Sequence, residues 1–107
     1  LVDLGTVYLR DNVLPVDVIL DYLINANEQL VISFVFNQDI KLEKVDITFP
    51  NGSLQTQNYN NQLIPKERKI DWVYPEKITG DWIFKFYGNK VGGRQVEFEF
   101  SEQITVQ

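Results

Sequence analysis

The sequence contains no histidine, no cysteine and no methionine. Without His or Cys, the catalytic triads built on either residue are excluded, and so are disulfides and thiolate chemistry. The absence of cysteine does not identify the cellular compartment, because chains without cysteine occur both outside and inside cells. No run of about 18 apolar residues occurs either, so the chain is predicted to contain no membrane span.

Positive charge is also scarce, since 10 basic residues against 15 acidic ones give a net charge of −5. Nucleic acids and anionic membranes require clustered cations. The one basic cluster consists of Lys66, Arg68 and Lys69 around Glu67, and we interpret it as the solvated entry to a strand. The charge balance therefore predicts a protein that does not bind nucleic acid.

Side chains that could perform acid–base chemistry or bind a metal are few. Glu97 and Glu99 share one face of a predicted strand, but that face is expected to be open to water and its carboxylates merely solvated. Residues 11–12 and 37–39 offer oxygen ligands, yet neither has the spacing of a known calcium loop. We therefore expect a protein that is not an enzyme and carries no cofactor or metal.

What the chain does contain is apolar and aromatic residues, which make up 44% and 13% of its 107 residues. This length suits a single domain over residues 1–107. The chain begins at Leu1 with neither an initiator Met nor a signal peptide. We therefore expect a mature or trimmed chain from which targeting information has been removed.

Alternation of apolar and polar residues predicts strands over residues 4–9, 28–37, 42–49 and 69–74. Residues 16–24 fit a helical face and a strand face equally well, and their β-branched content favours the strand. Residues 51–62 hold seven amide side chains and are predicted to be a polar strand or loop, suitable as a sheet edge. Within them, Asn51-Gly52-Ser53 is interpreted as a turn in preference to a glycosylation site.

Residues 78–100 read as a hairpin around a glycine-rich turn at 88–93. Trp82, Phe84 and Phe86 lie on one face of its first arm, and Phe98 and Phe100 on the inner face of its second. Ile104 and Val106 extend the second arm. Seven or eight short strands with closely spaced turns indicate an antiparallel sandwich.

The hairpin resembles the end of bacterial extracytoplasmic immunoglobulin-like domains. In those domains an apolar residue precedes Gly-x-aromatic, and an alternating strand, a short turn and a closing aromatic strand follow. The matching residues here are Ile78, Gly80, Trp82, Phe84, Phe86, Val96, Phe98 and Phe100. Residues 45–52 (VDITFPNG) resemble an earlier strand of the same modules, so that the likeness covers about half the chain. It implies an all-β, antiparallel immunoglobulin-like sandwich of seven or eight strands. It also implies a secreted or surface module that spaces, displays or binds.

We therefore expect a non-catalytic structural or protein-interaction module of a bacterial surface protein or assembly, located outside the cytoplasm. Its partner would be another protein or another domain of the same surface protein. The first alternative is a carbohydrate-binding module that stacks a glycan on exposed Tyr59, Trp72, Tyr74 and Tyr87. Against this, alternation favours Trp72 and Trp82 in the core. The second alternative is a structural subunit of a phage or conjugation apparatus.

Overall fold

A computed structural model of the protein describes residues 16–91 and 97–107, which form seven strands in two antiparallel sheets. The strands are β1 (Val18–Ile24), β2 (Leu30–Phe36), β3 (Ile40–Thr48), β4 (Leu54–Ile64), β5 (Ile70–Tyr74), β6 (Gly80–Lys90) and β7 (Glu97–Val106). The three-stranded sheet has the order β1-β2-β5, and the four-stranded sheet has the order β4-β3-β6-β7. The described residues contain no helix, and hence none that could cross a membrane.

The chain changes sheets three times, because β3 and β4 belong to one sheet, β5 returns to the other, and β6 leaves it again. This connectivity places non-consecutive strands side by side and builds the antiparallel sandwich that the strand pattern predicted. The strand predicted over residues 4–9 lies outside the described residues.

Both sheets contribute to one apolar core. The inward faces of β2 and β6 are almost completely buried, as predicted; their core residues are Leu30, Ile32, Phe34, Phe36, Trp82, Phe84 and Phe86. Aromatic rings meet across the sandwich at preferred edge-to-face geometry, for example Phe34 and Phe86 with ring centroids 5.5 Å apart. Aromatic packing between β2 and β6 therefore joins the two sheets within the core.

The segment that fitted both helix and strand is a strand, β1, which pairs with β2 from Val18 opposite Phe36 to Ile24 opposite Leu30. In this register the inward residues of β1 cover the edge of the core. β2 lies between β1 and β5, and is thus the central strand of its sheet.

A bulge interrupts the pairing of β3 with both of its neighbours between Leu42 and Lys44. Against β6, Glu43 is the extra residue, and the inward positions of β3 therefore shift from even to odd numbers. Against β4, the extra residues are on β4, where residues 59–61 lie opposite Glu43. On β4, Asn60 and Asn61 have φ values of 52° and 60°. Asparagine tolerates this left-handed conformation better than most residues, which explains two of the amides in the polar segment.

The hairpin turn predicted over residues 88–93 begins later than expected, because β6 continues through Gly88 to Lys90. Gly88 is buried and pairs with Leu42 on one side and Phe98 on the other. A Cβ at this position would collide with the carbonyl oxygen of Lys41 and lie 2.8 Å from the ring of Phe98. Glycine is therefore needed at position 88 for close approach inside the sheet and does not form the turn.

Candidate functional site

Three of the four aromatic residues predicted to bind a ligand lie close together at the open edge of the sandwich. Tyr59 is on β4, and Trp72 and Tyr74 are on β5, so the two sheets present them toward each other. Tyr87 is on β6 and faces outward from the four-stranded sheet. The structure thus brings together three of these side chains and separates the fourth.

Trp72 is anchored in the core. Its ring lies parallel to that of Phe84, with an interplanar angle of 2° and centroids 5.3 Å apart, and it also contacts Phe34. Its indole Nε1–H donates a hydrogen bond of 2.8 Å to the phenol oxygen of Tyr59. The side chain is only 9% exposed, so its faces are used for packing between the sheets.

Tyr74 has a buried hydroxyl with no hydrogen-bond partner among the described residues. Its ring packs against Phe49 and Trp82. Burial, with a smaller contribution from the charge of Tyr59, raises the pKa of Tyr74 to about 12. A buried hydroxyl without a partner is unfavourable, so this oxygen is expected to lower the stability of the fold.

A groove of about 570 Å³ runs along the free side of β5. Its lining includes Gln55 and Gln57 from the inward face of β4, and Asp71, Trp72 and Tyr74 from β5. The amides face inward here because β4 extends beyond the three-stranded sheet and has no strand of that sheet opposite it. Amide and phenol groups beside an aromatic wall can bind either a polypeptide backbone or a polyhydroxylated ligand.

The outer face of the three-stranded sheet carries apolar side chains that the sequence analysis did not identify as a site. We call these the outer patch; its members are Ile19, Leu23, Val31, Val35 and Val73. Leu23, Val31 and Val73 form one row across the sheet, and Ile19 and Val35 form another. Ile19 is 72% exposed, Leu23 49% and Val73 55%, so the patch is open among the described residues. The signal was present in the sequence as apolar residues on the outward positions of three strands.

A polar row divides the outer patch, with Asp21 and Asp71 on either side of Ser33. Within the described ranges neither carboxylate forms an ion pair with a Lys or Arg. The patch therefore combines two apolar rows with an acidic row between them.

Tyr87 lies between two lysines on the outer face of the four-stranded sheet. The Lys44 and Lys85 ammonium groups are 4.7 Å and 5.3 Å from its ring centroid, as in cation–π contacts. Lys85 also forms an ion pair of 3.0 Å with Glu99. This hydrogen bond to Glu99 is the main cause that raises the pKa of Lys85.

The loop oxygens considered as calcium ligands are engaged in hydrogen bonds within the fold. Asp39 accepts a bond from the backbone N–H of Lys66, and Asn37 accepts one from that of Asp17. Over residues 16–91 and 97–107, no three acidic side chains are grouped in a way that could hold a metal ion. Residues 11–12 lie outside the described part of the chain.

Comparison of the chain with protein-family models, with curated proteins and with solved structures gives no match in any of the three. The functional interpretation therefore depends on the geometry of the sandwich itself.

Proposed function

We propose that this domain is a non-catalytic structural and protein-interaction module of a bacterial surface protein or assembly, acting outside the cytoplasm. The single observation that carries the interaction role is the outer patch. Exposed apolar side chains that form a contiguous surface mark a site for another protein more often than isolated ones do. Here Leu23, Val31 and Val73 form such a contiguous row, and Ile19 and Val35 form a second one on the other side of the polar row.

The outer patch contains charged as well as apolar residues, as expected for an interface with a partner that can dissociate. Protein interfaces combine an apolar centre with polar groups that determine register and orientation. Asp21 and Asp71 provide two negative charges between the apolar rows, and neither has an ion-pair partner in the part of the chain that the structure describes. A partner with an apolar surface and one or two central cations would complement both features.

The extracytoplasmic and bacterial parts of the proposal rest on the resemblance of the β6–β7 hairpin to immunoglobulin-like surface modules. Protease treatment of intact cells tests this part. We expect externally added protease to degrade the protein while a cytoplasmic marker stays intact. Protection of the protein until the cells are lysed would overturn the extracytoplasmic assignment.

Site-specific photo-crosslinking of the full-length protein in its native cells tests the interaction role. A benzophenone amino acid at Leu23 or Val73 should form adducts with a partner protein. The same probe at Leu54 is the matched control, because this leucine is 65% exposed on the other sheet. Ile19→Asp should abolish the adducts from Leu23. Equal labelling from Leu54, or no adduct from the outer patch, would refute the proposed interface.

The groove beside β5 favours carbohydrate binding as the second candidate function. Its lining combines the amides of Gln55 and Gln57 with the aromatic side chains of Trp72 and Tyr74. Titration of the protein with a panel of soluble glycans, followed by tryptophan fluorescence, tests this candidate because Trp72 lines the groove. A saturable change that Gln57→Ala weakens would support it. If no glycan changes the fluorescence, carbohydrate binding is rejected and protein interaction remains as the proposed function.

A further inference from the structure

We propose that the groove along β5 is a strand-addition site, in which an extended segment of a partner polypeptide pairs antiparallel to β5 as a fourth strand of that sheet. This inference rests on the proposed function, because it describes how a partner protein would be bound. Two neighbouring features support it among the described strands: the free edge of β5, and the inward face of β4, which no strand covers next to that edge.

The first step concerns the backbone of β5. In the described chain this strand pairs only with β2, so its other edge presents N–H and C=O groups that no neighbouring strand satisfies. Such an edge is a template for a strand of another chain. β5 is five residues long and ends before Pro75, which limits the added strand to about the same length.

The second step concerns the unequal sizes of the two sheets. Among the described strands three face four, and β4 therefore has inward side chains without an opposing strand. Gln55 is exposed, and Gln57 and Tyr59 are half-buried, Tyr59 in contact with Trp72. An added strand next to β5 would lie about 10 Å from β4, the usual separation of packed sheets. Its inward side chains would then reach these amides.

The third step is charge and polarity, which define the chemistry of the added strand. Asp71 ends the acidic row on the outer face, next to the vacant strand position. A Lys or Arg directly opposite it would be favourable, as for other opposite-charge pairs across strands. On the inward face, a Ser, Thr or Asn would meet the amides of Gln55 and Gln57, which line the groove.

A partner strand fits these features better than a second copy of this chain does. If two β5 strands paired with each other around Asp71, two carboxylates would be opposed, and like charges opposite one another destabilise a sheet. Pairing centred on Trp72 would place Asp71 opposite Val73 of the other copy and leave both carboxylates without a cation. The binding of one cationic segment avoids both problems.

The experiment is an NMR titration of the ¹⁵N-labelled chain with the peptide acetyl-Thr-Val-Thr-Lys-Val-amide up to millimolar concentration. Antiparallel pairing places its Lys opposite Asp71 and its second Thr opposite Trp72. We expect shifts confined to β5 and to the side-chain amides of Gln55 and Gln57. We also expect slower hydrogen exchange of those β5 amides that do not bond to β2.

Matched controls separate strand pairing from other modes of binding. The same peptide with an N-methylated backbone should not bind, because it cannot form the ladder. Asp71→Lys should weaken binding of the Lys peptide by about two- to fivefold and favour a Glu peptide by a similar factor. Asp21→Lys, on the far strand of the same row, should change neither affinity.

Equal binding of the N-methylated peptide, shifts confined to the outer patch, or no shift at millimolar peptide would each overturn strand addition. Dimerisation of the free protein through protected β5 amides would also overturn it, in favour of a second copy. Crosslinks from Leu23 with no peptide binding at β5 would retain the proposed function and reject only this inference. The two failures are therefore distinguishable.

Discussion

The indole N–H of Trp72 on β5 and the phenol oxygen of Tyr59 on β4 form a hydrogen bond of 2.8 Å that joins the two sheets along their open edge. Trp72 lies mostly inside the core, where it is 9% exposed, and it also lines the groove. The hydrogen bond therefore connects the stability of the sandwich to the shape of the candidate site.

Tyr59→Phe leaves the Trp72 N–H without its acceptor, and we expect the free energy of unfolding to fall by about 1–3 kcal/mol. Urea unfolding followed by tryptophan fluorescence measures this loss. Tyr87→Phe is the control, because Tyr87 is on the outer face of the other sheet, and its effect should stay within about 0.5 kcal/mol. Equal effects of the two substitutions would contradict a stabilising role for the Tyr59–Trp72 bond.

The pKa of Tyr74, raised to about 12 by burial, predicts that stability depends on alkaline pH. The fold favours the neutral phenol, so its contribution is complete below the unfolded pKa of about 10 and is lost as the pH rises toward 12. Because Tyr74 is only half-buried, we expect a loss of about 1–2 kcal/mol.

Tyr74→Phe isolates this effect. The substitution removes a buried hydroxyl that has no partner, so stability at neutral pH should be unchanged or rise by about 1 kcal/mol. The wild-type protein and the variant are compared by urea unfolding at neutral pH and at a pH of about 11, where the titration of Tyr74 is under way. A parallel decline of both proteins with pH would show that Tyr74 does not cause the loss.

Most of the sandwich followed from alternation, because inward and outward residues differ in polarity on β2 and β6. Leu30, Ile32, Phe34 and Phe36 were predicted as one buried face and are at most 1% exposed. Alternation fails where the backbone departs from regular pleating. The bulge at Glu43 moves the inward positions of β3 from even to odd residue numbers. No residue pattern around Glu43 predicts this shift.

The candidate site was predictable only in part. In the sequence, Tyr59, Trp72 and Tyr74 are recognisable only as aromatic residues in polar or strand segments. In the fold they lie together at one edge of the sandwich. Their proximity depends on β4 and β5 being in different sheets, which is a long-range property. The outer patch was missed because Leu23 and Val73 are fifty positions apart in the chain and become neighbours only through β2.

Two phenylalanines of the β6–β7 hairpin should differ in how much stability is lost when each is replaced by alanine. Phe84 is fully buried, whereas Phe98 is only half-buried beside Phe36. Phe84→Ala should cost about 3–5 kcal/mol, and Phe98→Ala clearly less, because a partly exposed site leaves a smaller cavity. Denaturant unfolding gives both values. A larger loss for Phe98→Ala would contradict the assignment of the core to the β2–β6 contact.

Gly88 provides the last prediction, because its role is close approach and not turn formation. Gly88→Ala places a methyl group against the Lys41 carbonyl oxygen and the Phe98 ring, and we expect a loss of about 1–3 kcal/mol. Gly52 is the contrasting site, with no atom within 4 Å of an added Cβ but a φ of +92°. Gly52→Ala should therefore cost only the backbone strain of about 1–2 kcal/mol.

A double-mutant cycle separates the two kinds of cost. Combining Gly88→Ala with Phe98→Ala removes the ring that the new methyl group meets, so the pair should be less destabilising than the sum of the single changes. Combining Gly52→Ala with Phe98→Ala should be additive, because these sites share no contact. Additivity in both cycles would mean that the ring of Phe98 moves aside without cost and that only the β3 backbone requires glycine at position 88.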